Sequence, residues 1–416
     1  MPKYLANASI GRRSLLTACG SLLAAPAVVR AQGQGGVALV IGNSKYRSEA
    51  TLPNVRRDAP DIARTFQAFG LQTQLLQELG RDAMRQAIDN FLSLATGKSF
   101  AVFYFAGHGV FDKITHLVPV DASFDTIALK DLIAVPPIRS GLATAAHNLA
   151  AFDVCRNSPF EGARQVSASD QSGGYQLLGS NPADPSNICM LFSTAPGRAA
   201  LDGPAGENSP FAAALLRQFD GPSVELRALP ANLRRDLLIA TQGRQFLMDQ
   251  SSYREAFVLN RPARNTAPAA SKSAPGIDSS RLVEFPNAYA FAQQSGLLLP
   301  PGLVAVRPPV PSAHSAKIGA FKFTRGTEPG ILVVLSVEEW PAVELFFVSR
   351  IVGTGRPFWN FVRGTLQNNT LEVFPTSLAA QHIFRWSDGN AGDLTIMPRQ
   401  HTTSDRILAS RFTRLD

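Results

Sequence analysis

Two apolar runs stand out in a chain that otherwise mixes polar and apolar positions. Residues 100–106 lead into Gly107-His108-Gly109, and residues 149–154 lead into Cys155-Arg156-Asn157. Continuous rather than alternating apolar runs of this length mark strands covered on both faces, as in a parallel sheet flanked by helices. Shorter runs at 37–41, 71–76 and 187–193 repeat the pattern. Between the first two, Val55, Ile62, Ala63, Phe66 and Phe69 fall at helical spacing within 53–69, and Gly70 closes that helix. A second helix is expected over 81–94, a short one over 142–147, and two more over 210–219 and 224–239, with a last strand at 255–259. Alternating strands and helices imply right-handed crossovers, hence an α/β fold around a mostly parallel six-stranded sheet. A polar turn between apolar ends at 110–119 predicts a small hairpin just after His108.

The pattern changes twice more. Residues 158–187 are rich in Ser, Gly, Gln and Asp without periodicity, which predicts a long loop. Residues 262–280, rich in Ala, Pro and Ser, read as a linker, and beyond them lie β-type runs at 317–323, 330–335, 343–351, 358–366, 371–373, 383–386 and 394–396. A small β-rich unit over 281–416 is the expectation, with Trp340, Phe358, Trp359, Phe361 and Trp386 as its core or a ligand surface.

Composition adds a leader. In the first 31 residues Lys3, Arg12, Arg13 and Arg30 meet no acid, an uncharged stretch spans 14–29, and Val29 and Ala31 fit a cleavage box. Arg12-Arg13 followed by Ser14-Leu15-Leu16 resembles a twin-arginine export signal, and the apolar stretch is shorter than the roughly 20 residues of a spanning helix. The expected layout is therefore a signal at 1–31, a first domain at 35–261, a linker at 262–280 and an accessory domain at 281–416. The expected location is the periplasm or the exterior. Without the leader, 36 basic residues face 32 acidic ones, too even a balance for nucleic acid. Cys155 and Cys189 then remain, too few for a disulfide framework.

At these residues the chain resembles the caspase-like cysteine peptidases of clan CD, in particular bacterial relatives of metacaspases. The matching pieces run in order: Val40-Ile41-Gly42-Asn43 with Tyr46, Leu52-Pro53-Asn54-Val55 leading to Asp58-Ala59, Tyr104 to Gly109, Leu117 to Asp121, Asp153 to Asn157, Ser193 to Gly197, and Asn208-Ser209-Pro210-Phe211. The resemblance implies a caspase-haemoglobinase-like sheet and a Cys155–His108 dyad. An imidazole beside a cysteine raises the thiolate fraction and later protonates the leaving amine. The 47 residues from His108 to Cys155 agree with caspase spacing. Gly109 and Cys155 supply the implied oxyanion N–H donors. Asp153, two positions before the cysteine, points to the same side of its strand. By resemblance it lines the S1 pocket for Arg or Lys, with Asp58 as a second acid, while pairing with Arg156 is the structural alternative. Arg164 and Arg198, in flexible surroundings, are candidate autocleavage points.

No Cys/His spacing suggests zinc, and His116 and His147 read as surface or helix-end residues. Calcium activates some metacaspases, but no Asp-rich loop here has a ligand order that would hold it. The expected partner is a peptide or protein substrate, with no cofactor, no membrane segment after signal removal, and an open oligomeric state. A competing reading is an inactive caspase-like scaffold whose β domain binds a partner or an envelope component.

Overall fold

The computed structural model describes residues 29–31, 35–47, 51–123, 128–156, 186–262, 279–309, 312, 314–339, 342–350, 355, 357–373, 380–398 and 408–416. Strand β1 (Gly36–Gly42) is buried along its whole length, sending Val37, Leu39 and Ile41 to one side and Ala38 and Val40 to the other. Helix α1 (Val55–Ala68) leads to β2 (Gln72–Gln77), α2 (Arg81–Ala95) to β3 (Phe100–Gly107), and α3 (Val135–Leu142) to β4 (Asn148–Val154). Next come β5 (Ile188–Phe192), α4 (Pro210–Gln218), α5 (Leu229–Ala240) and β6 (Met248–Ser251). The sheet order is β6-β5-β4-β3-β1-β2, parallel except for β6. Helices α1, α4 and α5 cover one face, and α2 and α3 the other. The nearly continuous apolar β3 and β4, interrupted in β4 only by Asn148 and Asp153, are central because only a doubly covered strand buries residues on both sides. After His108 the expected hairpin forms from Gly109–Asp112 and Ile114–Leu117.

Three expectations are corrected. The helix expected at 142–147 lies upstream, where Val135, Ile138 and Leu142 share its buried face and Pro136-Pro137 fill first-turn positions that need no N–H donor. The helix expected from 224 begins at Leu229, because Ser223–Glu225 is a strand. The run at 255–259 does not complete the main sheet. Phe257–Asn260 instead pairs antiparallel with Ser223–Glu225 and parallel with Val29–Ala31. The sixth place goes to β6, whose Met-Asp-Gln-Ser sequence carries no apolar signal because an edge strand is covered less completely. The loop at 158–187 falls largely, and the linker at 262–280 mostly, outside the described residues, as does nearly all of the leader.

The C-terminal part opens with a hairpin, Leu282–Glu284 against Val304–Val306, that encloses α6 (Pro286–Ser295). Gly296 in the left-handed region ends this helix. Then β7 (Gly319–Arg325), β8 (Glu328–Glu339), β9 (Ala342–Arg350), β10 (Pro357–Gln367), β11 (Thr370–Val373), β12 (Ala380–Trp386), β13 (Ala391–Pro398) and β14 (Leu408–Arg414) form a closed eight-stranded barrel. Closure comes from β14 pairing with β7, with Phe321 opposite Arg414. Edge-to-face contacts among Phe321, Phe323, Phe384, Trp386 and Phe412 pack these rings together. Phe361 packs on Phe246 of the first domain at 5.0 Å between ring centroids, so it and Trp386 belong to packed interiors. Side chains of Trp340, Phe358 and Trp359 lie outside the described ones.

Candidate active site

The last paired rung of β3 and β4 is Gly107 opposite Val154, so the next residues, His108 and Cys155, leave adjacent strands at the same level. Gly109 then passes so close to the second strand that a Cβ there would lie 2.7 Å from the Cys155 carbonyl oxygen and 2.7 Å from Val154 Cβ. Only glycine fits. Gly107 has a similar reason, since a Cβ would collide with the Tyr46 hydroxyl. That hydroxyl accepts a hydrogen bond from the His108 backbone N–H at 2.7 Å and donates to the Val118 carbonyl at 3.3 Å. The Tyr46 ring lies 4.4 Å from the imidazole, centroid to centroid. Tyr46 therefore braces both the backbone and the ring of His108.

Cys155 is half-buried, and its Sγ meets both backbone polar groups of one residue, accepting from the Ala200 N–H at 3.4 Å and facing the Ala200 carbonyl at 3.9 Å. Burial pushes the thiol pKa up, the Ala200 N–H opposes this, and the charges of Asp153 and Asp202 add to the rise. The segment carrying Ala200 is clasped to the cysteine loop: the Arg156 N–H donates to the Arg198 carbonyl at 2.9 Å, and the Gly197 N–H to the Arg156 carbonyl at 2.8 Å.

Asp58 and Asp153 are brought together, both buried. Ser209 joins them as the N-cap of α4: its hydroxyl accepts from the Ala212 N–H and donates to Asp153 Oδ2 at 2.5 Å, while its own N–H donates to Asp58 Oδ1 at 3.0 Å. Asn208 donates to the same Asp58 oxygen at 3.0 Å. Burial raises both carboxyl pKa values, and for Asp58 the neighbouring Asp153 charge raises it further. The two acids thus form a buried pair at a helix N-terminus, whose dipole favours negative charge, with Asp58 Oδ2 lacking a hydrogen-bond partner.

Arg156, the alternative partner of Asp153, donates instead to Thr115 Oγ1 at 3.1 Å, with its guanidinium over the rings of Phe111 and Phe192. His116 is buried in the hairpin rather than at the surface, because its strand is covered on both sides. His147 stacks on Phe257 at 3.7 Å. Arg198 forms an ion pair with Glu344 of the barrel, and Arg164 lies outside the described residues.

The acid that sequence reasoning missed is Asp202. Burial raises its pKa, the charge of His108 lowers it, and its own charge acts on Asp58, Asp153 and Cys155. Its backbone carbonyl accepts from Asn54 Nδ2 at 2.5 Å, which fixes it beside the start of α1. A single aspartate in a Gly- and Pro-rich turn carried no periodic signal; its place after Ser193-Thr194-Ala195-Pro196-Gly197 was the available clue.

A mostly parallel six-stranded sheet that delivers a histidine and a cysteine from its two central neighbours defines a caspase-like α/β peptidase domain. Residues 35–282 match the family model described as the caspase domain, and the chain belongs to that peptidase family. A curated relative is human mucosa-associated lymphoid tissue lymphoma translocation protein 1, 33% identical over 88 residues, which are 21% of this chain and 11% of that protein. The chain thus matches about a ninth of that relative's length.

Proposed function

We propose that the protein is a cysteine endopeptidase that cleaves after Arg or Lys. The observation that carries this reading is the shared rung of Gly107 and Val154, which sets His108 and Cys155 side by side above the acid pair. In the proposed reaction His108 takes the Cys155 proton, and the thiolate attacks the scissile carbonyl carbon. The C=O bond opens to an oxyanion facing the N–H groups of Gly109 and Cys155. The C–N bond then breaks, the amine leaves with the proton held by His108, and water hydrolyses the thioester to regenerate the thiol. Asp58 and Asp153, joined by Asp202, receive the P1 guanidinium or ammonium. The arriving cation also offsets the negative charge that disfavours the thiolate, so the preferred side chain helps ionise the nucleophile.

Hydrolysis of a fluorogenic peptide with Arg at P1 tests the reading. The wild type should cleave it, Cys155→Ala should not, and an Asp-P1 analogue should be a poor substrate. Equal hydrolysis by Cys155→Ala would sink the proposal. A scaffold without activity would form no adduct at Cys155 with a thiol-reactive Arg peptide. Export through the twin-arginine route is part of the same proposal. It is tested by fractionating cells that express the full chain and a variant with Arg12 and Arg13 replaced by Lys.

A further inference from the structure

The segment over Cys155 is held from two sides. Downstream, Asn54 Nδ2 binds the Asp202 and Pro204 carbonyls, and its Oδ1 accepts from the Gly206 N–H, all within the peptidase domain. Upstream, its backbone is hydrogen-bonded to Arg156 of the cysteine loop, and the Arg198 side chain is held by the other domain. Arg198 reaches the barrel, where it forms an ion pair with Glu344 and lies over the Phe361 ring at 5.3 Å. Glu344 points outward from β9, and its side chain is only 7% exposed. A carboxylate so covered needs compensating charge, and Arg363 on β10 supplies part of it at 2.9 Å. The rest comes from Arg198. Around this pair, Phe246 packs on Phe346 and Phe361, and Gln245 binds the segment at both ends, donating to the Ser193 carbonyl and accepting from the Leu201 N–H.

Arg198 stands two residues before Ala200, and two residues of chain span at most about 7 Å. Fixing the Arg198 side chain against the barrel therefore restricts where the Ala200 peptide stands. In the docked arrangement the Ala200 backbone lies against Sγ at 3.4 and 3.9 Å, close to the roughly 3–3.5 Å at which a scissile carbonyl must approach the nucleophile.

We propose that Glu344, a barrel residue, is a positioning residue of the peptidase site: through Arg198 it holds the 198–202 segment over Cys155, so that the docked barrel keeps the thiol covered. The proposal deepens the peptidase reading above and rests on it for its consequence in catalysis, but its core is a statement about access to one sulfur. Releasing the pair lets the segment withdraw and exposes the nucleophile.

The test is the rate at which iodoacetamide alkylates Cys155 in the full chain, with the adduct located by mass spectrometry. Glu344→Gln, which keeps the shape of the side chain, should speed alkylation at least about tenfold, and Arg198→Gln should do the same. The double variant should be no faster than either single one, because both remove one interaction. The kcat/KM for an Arg substrate should rise in parallel. Unchanged or slower alkylation in both single variants, with the thermal transition intact, overturns the proposal. Additive effects in the double variant also overturn it. Faster alkylation with no hydrolysis in any variant would leave the positioning role standing and remove the peptidase reading instead.

Discussion

The Tyr46 hydroxyl lies 2.7 Å from the backbone nitrogen of His108, and the rings of the two residues are 4.4 Å apart. One side chain thus fixes a backbone donor that the sheet has left behind and restricts the imidazole at the same time. Tyr46→Phe keeps the ring and loses the hydroxyl. A neutral hydrogen bond contributes about 1 kcal/mol, so kcat on an Arg substrate should fall roughly five- to tenfold while KM stays put. Steady-state kinetics beside a thermal melt checks this, and an unchanged kcat would show that the ring alone positions His108.

Gly109→Ala should be far more damaging. The new methyl would press on the Cys155 carbonyl and on Val154, both backbone-anchored, and would push β3 and β4 apart where they deliver the proposed dyad. Overpacking of this kind costs about 1–3 kcal/mol. Thermal unfolding should register that loss, and hydrolysis should drop by more than the loss of folded protein explains.

Asp58 destabilises the fold in its charged form. Its folded pKa is raised, so between the ordinary carboxylate range and the raised value the native state binds more protons than the unfolded chain. Stability is therefore greatest at low pH on this account and is lost as pH rises through the folded value. Asp58→Asn should raise the melting temperature at pH 8 and give little gain at pH 4. Each unit of raised pKa is about 1.4 kcal/mol, or about 3–6 °C in a domain of this size. The same variant should lose affinity for Arg at P1, so that stability and turnover move in opposite directions.

Burial raises the Cys155 thiol pKa, and Asp153→Asn removes a negative charge that adds to that rise. The midpoint of the pH dependence of Cys155 alkylation should shift downward, while KM for an Arg peptide rises by at least about tenfold. A midpoint that stays or moves upward would mean that burial, rather than Asp153, governs the thiol.

Elements that bury residues on both faces were plain from the chain alone. β1, β3, β4 and β5 are near-continuous apolar runs, and α1 and α2 declare themselves by spacing. Three kinds of feature stayed hidden. The edge strand β6 is polar, and α3 begins on two prolines that read as a turn. Barrel closure depends on β14, whose alternation of Arg, Ser and Thr with a single buried Phe412 resembles a loop. In the site, His108, Cys155, Asp153 and Asp58 sit in recognisable local contexts. The bracing by Tyr46, the joining of two acids by Ser209 and the contact of Glu344 with Arg198 span tens to more than a hundred residues. No local pattern encodes contacts of that separation.

The pairing of β14 with β7 also bears on the order of folding. The first domain precedes the barrel along the chain, and the barrel closes only when Leu408–Arg414 finds Gly319–Arg325 across the accessory domain. Domains generally fold as units, N-terminal first during synthesis. A newly made chain would then pass through an interval in which the peptidase sheet is complete and Glu344 is not yet in place. On the two proposals above, the thiol would be uncovered during that interval, with the chain itself as its nearest substrate.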